Sequence, residues 1–116
     1  MTLSEKQRLF SRLLGQFLVW IYTQPGLEVV GGDWHRTQAQ AAANVSTGAG
    51  ILHSLHLLSL ACDLSLFIQG VYQTDSEPYR PLGEHWKSLH PLCRWGGDFT
   101  TRKDGGHFSL EHEGVQ

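Results

Sequence analysis

Charge is scarce in this sequence: Asp, Glu, Lys and Arg make up only 17% of the residues, and the net charge is -2. A chain that gripped nucleic acid through its phosphates would present a basic face. The Lys and Arg here are scattered, so nucleic acid is excluded as a partner. Cysteine is scarcer still. Cys62 and Cys93 are the only two; they form no CxxC pair, and they cannot build the disulfide framework of a small secreted scaffold. Both are expected to be free, with Cys62 a small apolar core residue. Long apolar runs are also missing. The stretch 13–22 is interrupted by Gly15 and Gln16 and falls short of the ~20 residues that cross a bilayer. The opening Thr2-Leu3-Ser4-Glu5-Lys6 lacks the pattern of a secretory signal. These absences predict a protein that is soluble in the cytoplasm where it is made, with no membrane insertion.

What is present suffices for a core. Apolar residues make up 41% of the chain, and no shift of composition marks a boundary, so residues 1–116 are expected to form one monomeric domain. Ser4 and Gln7 resemble a capping box. Leu9, Phe10, Leu13, Leu14, Phe17, Leu18 and Ile21 recur at helical spacing, predicting a helix over 4–23 that ends at Pro25-Gly26. Residues 27–30 read as a strand, the alanine-rich 37–44 as a helix and 45–50 as a surface loop. Over 61–68 the pattern alternates, with Cys62, Leu64, Leu66 and Ile68 on the apolar face and Asp63 on the other. A turn at Gln69-Gly70 should lead to a short strand at 71–73, followed by a loop over 75–78. Pro81 opens a helix over 81–89 with Leu82, Trp86 and Leu89 on one face. After a glycine-rich turn, a last strand carries His107 and Phe108 on opposite faces. The fold class predicted is α+β, a small antiparallel sheet packed with helices.

Histidine is plentiful, with seven copies, and most histidines in proteins are structural or simply exposed. His35, His85, His90 and His112 are read that way. His56, seven residues before Asp63, and His107 near the C-terminus stand apart. Two imidazoles and a carboxylate match the ligand count of a catalytic zinc site, whose fourth position is left to water. His53 competes with His56, being three residues away; the seven-residue step to Asp63 favours His56. Asp104, three residues before His107, is placed to take a proton from such a water. Asp98, on the same approach, is its rival, with a turn-capping role as the alternative. A His and an Asp seven apart do not by themselves decide for a metal.

Ser54-x-His56, Ala61-x-Asp63, Trp95-Gly96-Gly97 and Asp104-x-x-His107-Phe108 resemble the zinc D-alanyl-D-alanine carboxypeptidase and L-alanyl-D-glutamate endopeptidase family. Within it, Asp63-Leu64-x-Leu66-Phe67-x-x-Gly70-x-Tyr72, Tyr79-Arg80-Pro81-Leu82-Gly83-Glu84-x-Trp86 and His107-Phe108-Ser109-Leu110 look like the phage endolysin branch. Arg36-Thr37 and Gln40 match the family's first helix. The resemblance implies a D-Ala-D-Ala peptidase/hedgehog-like fold with zinc (Zn2+) on the sheet, held by His56, Asp63 and His107. It also implies Asp104 as general base and Arg36 as the cation for the transition state or a substrate carboxylate. The implied substrate is the bacterial peptidoglycan stem peptide, cut between L-Ala and D-Glu. Removal of a terminal D-Ala and a non-catalytic zinc-stabilised wall-binding module are the alternatives. Trp95 and its glycines are read either as a cleft wall or as structure. Ser59 stands where the family pattern usually has glycine, Cys62 where it has an apolar residue, and His35 where an aromatic precedes the arginine.

Overall fold

The computed structural model describes residues 1–32, 34 and 55–116. The expected helix over 37–44 and loop over 45–50 lie outside the described residues, as do His35, Arg36, Gln40, His53 and Ser54.

Helix α1 spans Leu3–Ile21. Its capping box is made by Thr2 and Glu5, not by Ser4 and Gln7. The Glu5 amide donates to Thr2 Oγ1 at 3.1 Å and the Thr2 amide to Glu5 Oε1 at 2.8 Å. Both pairs have the three-residue spacing that the box requires, and the earlier one forms it. Gln7 is thereby free for another task, donating from its side-chain amide to the Leu58 carbonyl at 2.8 Å. Phe10, Leu13, Leu14, Phe17 and Ile21 are buried. Each such side chain contributes roughly 1.5–3 kcal/mol when fully buried, so packing, more than propensity, holds α1.

Among the described residues five strands follow: β1 (Leu27–Gly31), β2 (Ala61–Ile68), β3 (Val71–Tyr72), β4 (Cys93–Trp95) and β5 (His107–Leu110). Helix α2 (Arg80–Leu89) lies between β3 and β4. The sheet order is β1-β2-β5-β4, with β3 also paired to β2, and every pairing is antiparallel. Between the paired Ile68 and Val71, Gln69 and Gly70 have φ of 51° and 78°. Two positive φ values in a two-residue loop match the twist of the flanking strands. The fold is the predicted α+β arrangement. β4 was not foreseen, because three residues are too few to show a period of two.

The helices cover one face of the sheet. The Phe17 ring lies 4.9 Å from Phe108 and 5.2 Å from Trp86, and the Trp86 indole donates to the Ser109 carbonyl at 3.1 Å. Side chains alternate along a strand. With Phe108 and its cross-strand partner Cys62 turned toward the helices, their neighbours His107 and Asp63 project from the opposite face.

The backbone at Ser59 explains the preference for glycine at this position in the pattern the sequence resembles. Its φ is 55°, left-handed backbone that costs an ordinary L-residue roughly 1–2 kcal/mol and glycine almost nothing. Glycine also gives up more chain entropy on folding, so the net gain is smaller. Ser59→Gly is expected to stabilise the protein by about 0.5–1 kcal/mol, read as a higher midpoint in thermal unfolding. A lower midpoint would mean that Ser59 contributes contacts worth more than the strain.

Candidate metal centre

The register of β2 on β5 sets Asp63 directly opposite His107. Opposed residues on neighbouring strands raise their side chains from the same face, about 5 Å apart. His56 arrives from another direction, on the 3₁₀ turn Leu55–Leu58. That turn is fixed by Leu55, which is buried, by the Leu60 amide on the Leu55 carbonyl at 3.1 Å, and by Gln7 on Leu58. Both imidazoles are nearly enclosed, His56 at 3% and His107 at 8% exposure.

His56 Nε2 stands 3.4 Å from Asp63 Oδ2, and His107 Nδ1 stands 3.5 Å from Asp63 Oδ1. One ligand atom from each of the three residues lies within 4.8 Å of the others. Hydrogen bonds between nitrogen and oxygen run about 2.7–3.2 Å, so these contacts are too long to be good ones. They match something else. Two ligands on a tetrahedral zinc with bonds of about 2.0–2.1 Å stand about 3.3–3.4 Å apart. Asp63 Oδ1 is buried and accepts no hydrogen bond among the described residues, so a bound cation would satisfy it. Burial pushes the Asp63 carboxyl up, but the His107 and His56 imidazoles outweigh it and hold the group well below the usual carboxylate range. The ligand is therefore ionised at neutral pH. Two imidazoles and one carboxylate suit zinc, and the residues present fit the ion.

Asp104 is placed by the Trp95-Gly96-Gly97 segment. Trp95 is 1% exposed, which makes it structure and not a cleft wall. Its indole donates to the Gly105 carbonyl at 2.7 Å, while the Asp104 amide donates to the Gly96 carbonyl at 3.0 Å and the His107 amide to the Asp104 carbonyl at 3.1 Å. Only glycine permits this at position 96: a Cβ there would strike the Asp104 carbonyl and come within 2.8 Å of His107 Cβ. From the other side the Gly105 amide donates to Ser76 Oγ at 3.0 Å. The loop carrying Asp104 is thus clamped twice before it enters β5. Although Asp104 as a residue is exposed, its carboxyl titrates above the usual range. Desolvation by the surrounding protein is the main cause and repulsion from Asp63 the second, with His107 acting the other way.

The rival acid is engaged elsewhere. Asp98 pairs with Lys87 Nζ of α2 at 2.7 Å, so it joins turn to helix and does not cap its own backbone. His85 stacks on Trp20 at 3.7 Å, His90 Nδ1 accepts the Leu92 amide at 3.1 Å, and His112 Nδ1 meets Lys6 Nζ at 3.1 Å. Each of these three has a partner within the fold, and among the described residues none belongs to the group of ligand residues. Gln7 and Ser76 were missed as supports of the site. The spacing of Gln7 from Ser4 points to a cap, and Ser76, between Asp75 and Glu77-Pro78, carries no signal beyond that of an ordinary turn.

A family model described as D-alanyl-D-alanine carboxypeptidase matches residues 47–110, more than half of the chain, including His56, Asp63, Asp104 and His107. The crystal structure of the L-Ala D-Glu endopeptidase ChiX of Serratia marcescens shares the fold, with a TM-score of 0.66 at 23% identity, covering 93% of this chain and 85% of that one. No curated protein matches the sequence. Among the described residues no helix is long and apolar enough to cross a membrane. On the extent of the family match, the chain belongs to the D-alanyl-D-alanine carboxypeptidase family of peptidases.

Proposed function

We propose that the protein is a zinc-dependent hydrolase of peptidoglycan stem peptides, an endolysin of phage type that cuts between L-Ala and D-Glu. In this reading residues 1–116 act as a single monomeric domain. The observation that carries it is the spacing of the His56, Asp63 and His107 ligand atoms, beside a cavity lined by both Asp63 and Asp104. Zinc, when bound there, supplies Lewis acidity that acidifies a water and polarises a carbonyl. Asp104 takes the proton of the attacking water and returns it to the departing amine. Arg36, which precedes the matched segment, keeps its charge at any working pH and is assigned to the developing oxyanion or to a substrate carboxylate.

The L-Ala–D-Glu bond is the one named for ChiX, and the endolysin-like motifs support it. The family description supports the alternative, removal of a terminal D-Ala. A non-catalytic wall-binding module would have no use for an acid clamped beside the ligands. Digestion of purified peptidoglycan, with the new amino termini identified by mass spectrometry, separates the three. New D-Glu termini are expected. Released D-Ala would move the assignment to the carboxypeptidase, and an absence of products from zinc-loaded protein would leave only the module.

A further inference from the structure

A polar cavity of about 300 Å³ opens beside the metal centre, lined by Asp63 and Asp104 and also by Tyr72, Asp75 and Lys103. Its volume lies at the low end of ligand pockets, room for a side chain and not for a whole stem peptide. One wall is rigid. Tyr79 Oη accepts the Leu66 amide at 2.9 Å and donates to the Gln73 carbonyl at 3.0 Å, and the Gln73 amide returns to the Leu66 carbonyl at 2.9 Å.

Two charges in this cavity have no close ion-pair partner among the described residues. Lys87, Arg80 and Arg94 are all tied into ion pairs, whereas neither Lys103 nor Asp75 has an opposite charge within 4 Å among the described residues. A cation and an anion in one polar pocket, not neutralising each other, complement a zwitterion. The negative charges of Asp63 and Asp104 sharpen the requirement. A ligand carboxylate entering beside them is repelled unless Lys103 compensates.

We infer that this cavity is the subsite for a substrate side chain ending in both an amine and a carboxylate, with Asp75 receiving the amine and Lys103 the carboxylate. The inference rests on the stem-peptide reading above but not on the position of the cut. The third stem residue is a diamino acid. It is the second residue from the broken bond for either cut, on the amine side if the cut falls after L-Ala and on the acyl side if it falls before the terminal D-Ala. Where that residue is meso-diaminopimelate, its side chain carries the full zwitterion; where it is L-lysine, it carries the amine alone. Lys103 is thus a specificity-determining residue.

The experiment compares kcat/KM on soluble stem peptides that contain meso-diaminopimelate or L-lysine. Wild type is expected to prefer the first by roughly three- to fivefold, the range of a partly exposed charge pair, through a lower KM. Lys103→Gln removes the preference by slowing the meso-diaminopimelate peptide and not the L-lysine peptide, and circular dichroism confirms that the variant is folded. Asp75→Asn slows both peptides, since both bring an amine. A wild type that cleaves both equally, or a Lys103→Gln that slows both alike, overturns the subsite. Failure of zinc-loaded wild type to cleave either peptide overturns the hydrolase reading beneath it.

Discussion

Asp104→Ala is expected to keep its zinc and lose turnover by about a hundred- to ten-thousand-fold, the usual contribution of a general base. The carboxyl of Asp104 lines the cavity with Asp63 but does not belong to the group of three ligand residues. What positions the loop is the backbone of residue 104, through its amide to Gly96 and its carbonyl to His107, and alanine preserves both. The loss is therefore chemical and not structural. Asp98→Ala breaks an exposed pair with Lys87, and exposed pairs contribute little, so its turnover should stay within a few-fold of wild type. Metal content is measured in parallel with cleavage of wall fragments. An inactive Asp98→Ala beside a nearly normal Asp104→Ala, both with zinc bound, would exchange the roles. Loss of zinc from Asp104→Ala would make that acid a ligand.

The second large effect is on the metal. Replacing His56, Asp63 or His107 with alanine should each remove most of the zinc and, with it, turnover. Three protein ligands give no redundancy, and the two imidazoles are enclosed within 3.4–3.5 Å of one carboxylate. Cys62→Ser and Cys93→Ser should keep the metal, because both thiols are buried and neither is in a disulfide or in the group of ligand residues, Cys62 being on the helix side of β2. Burial pushes the Cys93 thiol up to about 12, so it stays protonated and is a poor ligand at neutral pH. Elemental analysis reads all five variants, with circular dichroism confirming the fold. Full retention of zinc in all three ligand variants sinks the assignment.

The parts of this site that the sequence revealed are those governed by a period. Alternation along 61–68 put Asp63 opposite Cys62, and the same rule separated His107 from Phe108; the register of β2 on β5 then joins the two polar faces. The parts it hid depend on contacts distant in sequence. Trp95 could equally have walled a cleft, and only its burial and the 2.7 Å bond to Gly105 show that it supports the Asp104 loop. Thr2 and Ser4 offered equivalent caps three residues before a Glu and a Gln, and local spacing could not choose between them. Ser59 stood out as a departure, but its meaning needed the backbone angle of 55°. Arg36, assigned by resemblance, lies outside the described residues and rests on the proposal alone.

The central claim is that His56, Asp63 and His107 hold a zinc ion on which peptide hydrolysis depends. It is tested most directly by stripping the purified protein with a chelator, measuring cleavage of a soluble stem peptide, and titrating zinc back. The account predicts no cleavage by the stripped protein, full recovery at about one zinc per chain, and no recovery for His56→Ala. Undiminished cleavage by metal-free protein, or zinc that binds at one per chain without restoring any turnover, would contradict it.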